Sequence, residues 1–154
     1  RIFDNNNDEQ YRAFRLIFET IEHPYILRTY EINRSKDKRH IFIIRDLEKG
    51  GSLRDLIHAS DLSQAYGEKY SRPGKPLYIN RIRKYGRQIL EAMNYISQCG
   101  LVDYHLHSGN IIIQNDNAKI TEIENVFFGY QLRHPLHQHL EAVKKIYPEL
   151  DVEV

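Results

Sequence analysis

The stretch from Leu101 to Asn125, Leu-Val-Asp-Tyr-His-Leu-His-Ser-Gly-Asn-Ile-Ile-Ile-Gln-Asn-Asp-Asn-Ala-Lys-Ile-Thr-Glu-Ile-Glu-Asn, decides how the rest of the chain is interpreted. Its polar first part leads into the apolar run Ile111 to Ile113, followed by the turn Asn115 to Asn117 and a second strand-like run, Ala118 to Thr121. Asn and Asp between two such runs predict a β-hairpin. The polar loop then lies at the base of the hairpin, where we expect a functional site.

This stretch resembles the catalytic core of the protein kinase family, in which a His-Arg-Asp-Leu-Lys-x-x-Asn loop precedes a hairpin and an Asp-Phe-Gly turn. The match places His105 at the catalytic Asp, His107 at the Lys and Asn110 at the Asn. Glu122 and Glu124 take the places of the Asp and the Gly of the later turn. The resemblance implies an α+β protein kinase-like fold in which most catalytic residues are replaced.

The length of 154 residues is short for this fold, which needs about 250 to 300. The resemblance therefore implies a truncated domain. Residues 1–46 would be the end of the small N-lobe, with the C helix and two strands. Residues 47–154 would be the hinge and the first part of the helical C-lobe.

Composition favours a globular protein, because 41% of the residues are hydrophobic and 28% are charged. No apolar run approaches the roughly 20 residues of a membrane span, so we expect no direct membrane insertion. The net charge of +1 with mixed signs predicts no nucleic-acid surface. The single cysteine, Cys99, and the lack of a signal peptide predict a cytoplasmic location.

The first predicted helix runs from Glu9 to Glu22, with Asp8 as its N-cap, and ends before Pro24. It resembles the C helix of kinases, in which a Glu pairs with a strand Lys that holds the nucleotide phosphates. Counting back from Pro24 puts Phe14 in the place of that Glu. The ion pair is therefore expected to be absent.

Two strands, Leu27 to Ile32 and His40 to Asp46, are predicted next. The residues that follow resemble the kinase hinge, so the nucleotide-binding candidates are Asp46, Leu47 and Glu48, which would meet adenine through their backbone. Ser52 is the predicted cap of a helix from Leu53 to Ala59.

Arg45 matches the position at the back of the nucleotide pocket, where kinases usually carry an apolar residue. A buried unpaired cation is costly, so this residue has two possible arrangements. Either it blocks the pocket, or it points to solvent or pairs with Asp46 or an acid of the first helix.

Residues Asp61 to Tyr78 are predicted to be a long irregular insertion. Tyr66, Tyr70 and Arg72 are its candidate protein-binding residues, since Tyr and Arg are enriched at binding hot spots. A solvated loop without a binding role is the alternative. A helix from Asn80 to Gln98 follows, capped by Asn80, with one apolar face formed by Ile82, Tyr85, Ile89, Leu90, Met93 and Ile96.

The replaced residues argue against rapid phosphoryl transfer. His105 lacks the fixed negative charge of the catalytic Asp, and His107 removes a cation near the transferred phosphate. Glu122 is longer than the Asp that holds magnesium, and Asn110 alone is weak evidence for a metal. We therefore expect no required cofactor, with ATP and magnesium binding weakly at most.

The sequence of the chain as a whole resembles the branch that contains the PX-domain kinase-like proteins and the slowpoke-binding proteins. This resemblance implies a pseudokinase-type binding or regulatory module in signalling, with ion channels, transporters or other membrane proteins as partners. A neighbouring domain or those partners would bring it to membranes. One alternative is a weakly active serine/threonine kinase. A remote one is a histidine-dependent metal hydrolase that uses His105, His107, His134, His137 and His139.

Overall fold

The structure, a computed structural model, describes residues 6–60, 63–71, 73–101 and 105–128, without the side chains of Tyr66 and Val126. In chain order its elements are α1 (Asp8–Thr20), β1 (Thr29–Arg34), β2 (Ile41–Arg45), α2 (Leu53–His58), α3 (Tyr66–Lys69), α4 (Ile79–Gln98), β3 (Ile111–Gln114) and β4 (Asn117–Ile120). Short 3-10 turns cover Ser108–Asn110 and Ile123–Phe128. The predicted C-lobe residues after 128 lie outside the described part.

Helix α1 is capped by Asn7, one residue earlier than predicted. The side chain of Asn7 accepts hydrogen bonds from the backbone N–H groups of Glu9 and Gln10, at 3.0 and 3.1 Å. Asp8, the predicted cap, is the first helical residue and pairs with Lys38 and Arg34 from the β1–β2 turn region. Asn and Asp cap about equally well, so these tertiary ion pairs decide between them.

The core lies where α1 meets both two-stranded sheets. Phe14 and Phe18, one turn apart on α1, are each 2% exposed, and their ring centroids are 5.0 Å apart. They share a buried cluster with Ile32 of β1, Ile96 of α4 and Ile120 of β4, among others. The place where kinases carry the C-helix Glu is therefore an apolar core position in this chain.

The two sheets are both antiparallel. Strand β1 pairs with β2, from Thr29 opposite Arg45 to Arg34 opposite Ile41, with an irregularity after Thr29. Strands β3 and β4 form the predicted hairpin, and its two turn residues, Asn115 and Asp116, have φ of 50° and 56°. This left-handed pair is the geometry of a type I′ turn, which favours Asn and Asp.

The strand boundaries shift because of a contact between the sheets. Strand β1 was predicted from Leu27 but begins at Thr29. The N–H of Leu27 donates to the carbonyl of Ile120 at 2.8 Å, and the N–H of Ile120 donates to the carbonyl of Tyr25 at 2.9 Å. The residues before β1 therefore bond to β4 instead of to β2.

Helix α4 begins at Ile79, with Tyr78 in the cap position and no side-chain cap bond, so the predicted Asn80 cap is wrong. Its buried face is also rotated from the predicted one. Of the predicted apolar face, Ile82, Leu90 and Met93 are exposed, whereas Tyr85, Gln88, Ala92 and Ile96 are buried. A buried Gln and Ala leave no mark in hydrophobic periodicity.

The rotation is explained by what Gln88 does. Its amide donates to Asn117 Oδ1 at 2.7 Å and accepts from the N–H of Ala118 at 2.9 Å, which ties α4 to β4. Nearby, the hydroxyl of Tyr85 donates to Asp116 at 2.6 Å. Burial, together with this bond, raises the pKa of Tyr85 to about 12. The hairpin is thus fixed on α4, with the polar loop at its base.

Within the described ranges, none of the helices has both the length and the hydropathy of a membrane span.

Candidate functional site

The polar loop is closed by an amide clamp. Asn110 Nδ2 lies 2.9 Å from His105 Nδ1 and donates to the His105 carbonyl at 3.1 Å. An amide nitrogen can only donate, so Nδ1 of His105 is the acceptor in this contact. Asn110, the candidate metal ligand, therefore directs its amide nitrogen into its own loop.

His107 also serves the loop. Its Nδ1 accepts from the N–H of Gly109 at 3.0 Å and so caps the 3-10 turn. The His105 and His107 rings meet edge to face, with centroids 5.0 Å apart. A side chain at Gly109 would come within 2.9 Å of the His107 ring, so the turn closes this tightly only with Gly. Neither His105 nor His107 has the fixed positive charge of a Lys side chain.

Glu122 lies beside this loop and is held by a residue that the sequence reasoning missed. Its Oε2 accepts from Asn125 Nδ2 at 2.9 Å and lies 4.0 Å from His105 Nδ1. Asn125 Nδ2 also lies 3.3 Å from His105 Nδ1, so one amide bridges the two candidate residues. The structure thus brings Asn110, Glu122 and Asn125 together around Nδ1 of His105. No sequence motif marked Asn125.

Glu124 is the most deeply buried acid of the site, with a side chain 4% exposed. One of its oxygens forms an ion pair with the guanidinium of Arg45, whose side chain is 16% exposed. Arg45 also donates to Thr121 Oγ1 at 3.0 Å and to Thr29 Oγ1 at 3.4 Å. The other Glu124 oxygen has no hydrogen-bond partner among the described residues. The pair joins β2 to the turn after β4 across 79 sequence positions.

The alternative that Arg45 points to solvent or pairs with Asp46 or an acid of α1 is therefore wrong. It is mostly buried, and its acid partner is Glu124, not Asp46 or an acid of α1. Asp46 instead accepts from the hydroxyl of Tyr30 at 2.9 Å. Because a buried cation lowers the cost of a nearby buried anion, Arg45 and Glu124 each explain why the other is tolerated.

The hinge candidates follow β2 directly. Leu47 is 85% exposed, and Glu48 accepts a hydrogen bond from the side chain of Gln114 on β3. Gly51, with φ of 72°, lets its carbonyl accept from the N–H of Ile113 at 3.1 Å. The loop between β2 and α2 is therefore fastened to the hairpin at two points.

A kinase-like fold implies magnesium and nucleotide, and Asn110 and Glu122 are the residues here that would hold the metal. A magnesium ion needs free oxygen ligands in near-octahedral geometry. Asn110 Nδ2 donates within the loop and Glu122 Oε2 accepts from Asn125, so among the described residues the oxygens that remain for a metal are Asn110 Oδ1 and Glu122 Oε1. Among the residues the structure describes, no three His, Cys, Asp or Glu side chains are grouped so that they could hold a metal ion. His134, His137 and His139 of the remote hydrolase alternative lie outside those residues.

The insertion differs from the predicted irregular loop, since it contains the short helix α3. Tyr70 turns inward, and its hydroxyl donates to Asp55 of α2 at 2.8 Å. The Arg54 guanidinium lies 3.9 Å from the centre of the Tyr70 ring. Arg72 and the side chain of Tyr66 lie outside the described residues. Protein binding by these three residues remains a prediction, and Tyr70 has a clear structural role.

Asp55 is the anchor of this region. It completes a capping box with Ser52, as its Oδ2 accepts from the Ser52 N–H at 2.8 Å, and Lys69 lies 3.3 Å from its Oδ1. The predicted Ser52 cap is confirmed. Burial acts to raise the pKa of Asp55, but hydrogen bonds from Ser52, Tyr70 and Lys69 outweigh it and hold the pKa far below 3.8.

The lowered pKa of Asp55 predicts acid sensitivity. The folded state keeps Asp55 charged where the unfolded chain takes up a proton, so this stabilisation is present above 3.8 and is lost as the pH falls below it. We expect Asp55→Asn to lower the free energy of unfolding by about 1.5–3 kcal/mol at neutral pH, and by less in acid. Urea unfolding at several pH values measures both quantities. Glu31→Gln, at an exposed position, is the control, and equal losses in acid and at neutral pH would contradict the assignment.

Comparison with known proteins gives the context of this site. The family described as protein kinase domain matches residues 3–126. Slowpoke-binding protein of Drosophila melanogaster is 32% identical over 117 residues, which cover 74% of this chain and 23% of that protein. PX domain-containing protein kinase-like protein of Mus musculus is 29% identical over 125 residues, covering 80% and 21%. Probable inactive serine/threonine-protein kinase slob1 of Dictyostelium discoideum is 32% identical over 144 residues, covering 80% and 25%.

These matches have a clear extent. The chain spans about a quarter of the length of these relatives. The matched residues include every helix and strand of the structure up to the last 3-10 turn. The predicted kinase-like α+β fold and the resemblance to the slowpoke-binding and PX domain-containing branch are both confirmed. The chain belongs to the protein kinase domain family.

Proposed function

We propose that this chain is part of a pseudokinase, a kinase-like module that binds and regulates other proteins instead of transferring phosphate. The observation that carries the proposal is the ion pair between Arg45 and Glu124. By the kinase match, these two residues stand where an apolar residue lines the pocket and where a Gly approaches the phosphates. A buried pair in this place puts a guanidinium and a carboxylate where a kinase keeps an apolar side chain and a Gly.

The loop supports the same function. Phosphoryl transfer relies on a base for the attacking hydroxyl and on cations that neutralise the phosphates. The Nδ1 of His105 is engaged by Asn110, and the Nδ1 of His107 is engaged by Gly109. These contacts stabilise the conformation of the loop. A stable loop suits a protein that uses it as a binding scaffold. We propose that the small-lobe part ends at residue 46 and that the hinge begins at residue 47.

The partner class is proposed from the relatives. One relative is named for binding slowpoke, and another is named as a probable inactive kinase. We extend binding to this chain and propose signalling or membrane proteins, such as ion channels or transporters, as its partners. The chain would then work on the cytoplasmic side of a membrane, held there by the partner.

A phosphoryl-transfer assay tests the proposal. The complete kinase-like domain that contains this chain is incubated with ATP, magnesium and a generic peptide substrate, and we expect no transfer above background. His105→Ala is the control, because any trace signal that this variant retains comes from a contaminating kinase. Transfer at an ordinary kinase rate, about 1–100 per second, that His105→Ala abolishes would overturn the proposal and favour the active-kinase alternative.

A further inference from the structure

The charges of this chain are not evenly mixed along its length. Residues 69–90, here called the basic segment, hold seven of the 22 Lys and Arg residues and none of the 21 Asp and Glu residues. The remainder of the chain therefore carries an excess of acid, which the net charge of +1 conceals. The cations of the basic segment are Lys69, Arg72, Lys75, Arg81, Arg83, Lys84 and Arg87.

Among the described residues, four of these cations pair with three acids, and two of those pairs are Lys69 with Asp55 and Arg87 with Glu91. Arg81 and Lys84 share one carboxylate, that of Asp116, at 3.6 and 2.8 Å. Arg83 and Lys75 are exposed, and the described structure gives neither side chain an ion-pair partner. The first turn of α4 contains no acidic residue of its own to offset the positive end of the helix dipole. A positive surface remains around the start of α4.

Large apolar side chains project from the same surface. Tyr78 is 84% exposed, Ile79 is 58% exposed and Ile82 is 50% exposed. Ile79 and Ile82 lie three residues apart and so share one side of the helix. Exposed apolar residues that alternate with Arg and Lys along the start of a helix are typical of a segment that lies in a membrane interface.

We propose that the start of α4, with Lys75 and Arg83 beside Tyr78, Ile79 and Ile82, docks on the surface of an anionic lipid bilayer. The cations would meet the lipid phosphates and acidic headgroups, and the Tyr and Ile side chains would enter the boundary between headgroups and acyl chains. The three apolar side chains protrude, so an acidic protein would have to offer a matching pocket for each, whereas lipid adapts to them. This interaction is separate from the proposed recognition of proteins.

Vesicle co-sedimentation tests the docking surface. The 154-residue chain is mixed with vesicles of phosphatidylcholine alone or with added phosphatidylserine. We expect binding only to the anionic vesicles, decreasing as salt is added. Lys75→Glu with Arg83→Glu should weaken vesicle binding by at least about tenfold. Each Lys or Arg near an anionic surface raises the affinity roughly severalfold, and this variant loses two of them. Ile79→Ser with Ile82→Ser should also weaken it while the charge stays constant.

The matched control is Lys36→Glu with Arg39→Glu, which makes the same charge change at exposed positions in the β1–β2 turn. This control should bind anionic vesicles nearly as well as the unaltered chain. Circular dichroism checks that every variant is folded. Equal loss in both charge variants, equal binding to neutral vesicles, or tighter binding to a polyglutamate peptide than to the vesicles would each overturn the proposal.

Discussion

Arg45→Met is expected to lower the free energy of unfolding by about 3–5 kcal/mol. The substitution keeps an elongated side chain in place but leaves the carboxylate of Glu124 buried without its cation. Glu124 is 4% exposed, and its second oxygen already lacks a partner, so nothing else in the described structure compensates the charge. Thr121 and Thr29 would also lose the donor that now reaches them.

The double variant Arg45→Met with Glu124→Leu separates the ion pair from packing. Replacing both buried partners by apolar residues is often neutral or stabilising, so we expect this variant to recover most of the loss. Arg28→Met is the control, because the pair of Arg28 with Glu22 is exposed and contributes little. Urea unfolding provides all the values. A single Arg45→Met change within about 0.5 kcal/mol of the unaltered chain would show that the pair is not buried as described.

Phe14→Ala has the second large expected effect. Removing a buried Phe leaves a cavity and costs about 3–5 kcal/mol. Phe14 is 2% exposed and contacts the ring of Phe127 at a centroid distance of 6.0 Å, so the cavity would lie between α1 and the turn after β4. For a chain of this length the loss corresponds to a melting temperature lowered by roughly 6–20 °C.

Leu16→Ala provides the matched comparison on the same helix. Leu16 is 70% exposed, so the same kind of truncation should change stability by no more than about 0.5 kcal/mol. Thermal unfolding followed by circular dichroism measures both variants. Similar melting temperatures for the two would mean that α1 does not pack through Phe14.

Local chemistry explains what the sequence was able to predict. Ser is a favoured N-cap residue, so Ser52 alone predicted the start of α2, and the structure adds a capping box with Asp55. Asn115 and Asp116 tolerate positive φ, so the hairpin turn follows from two adjacent residues. The kinase resemblance then located the polar loop, and the structure brings its candidate residues His105 and Asn110 into contact.

Contacts between distant residues explain what the sequence could not predict. The partner of Arg45 lies 79 positions away, and no periodicity or spacing connects it to Glu124. Gln88 is polar, so its burial against β4 is invisible to a hydrophobic pattern. Tyr is a residue type that is enriched at binding sites, yet the Tyr70 hydroxyl points inward and donates to Asp55. In each case the position of a polar side chain is determined by a partner that comes close only in the folded chain.

Nucleotide binding distinguishes a pseudokinase from an active kinase, because the ion pair of Arg45 with Glu124 predicts that the cleft does not accept ATP. The melting temperature of the chain is measured while ATP is raised, with magnesium or with a chelator. A ligand at 100 times its dissociation constant would add about 2.7 kcal/mol of stability, a shift of several degrees. We predict no magnesium-dependent shift at micromolar ATP, because ATP binds weakly at most. A clear magnesium-dependent rise in melting temperature at micromolar ATP would contradict the account.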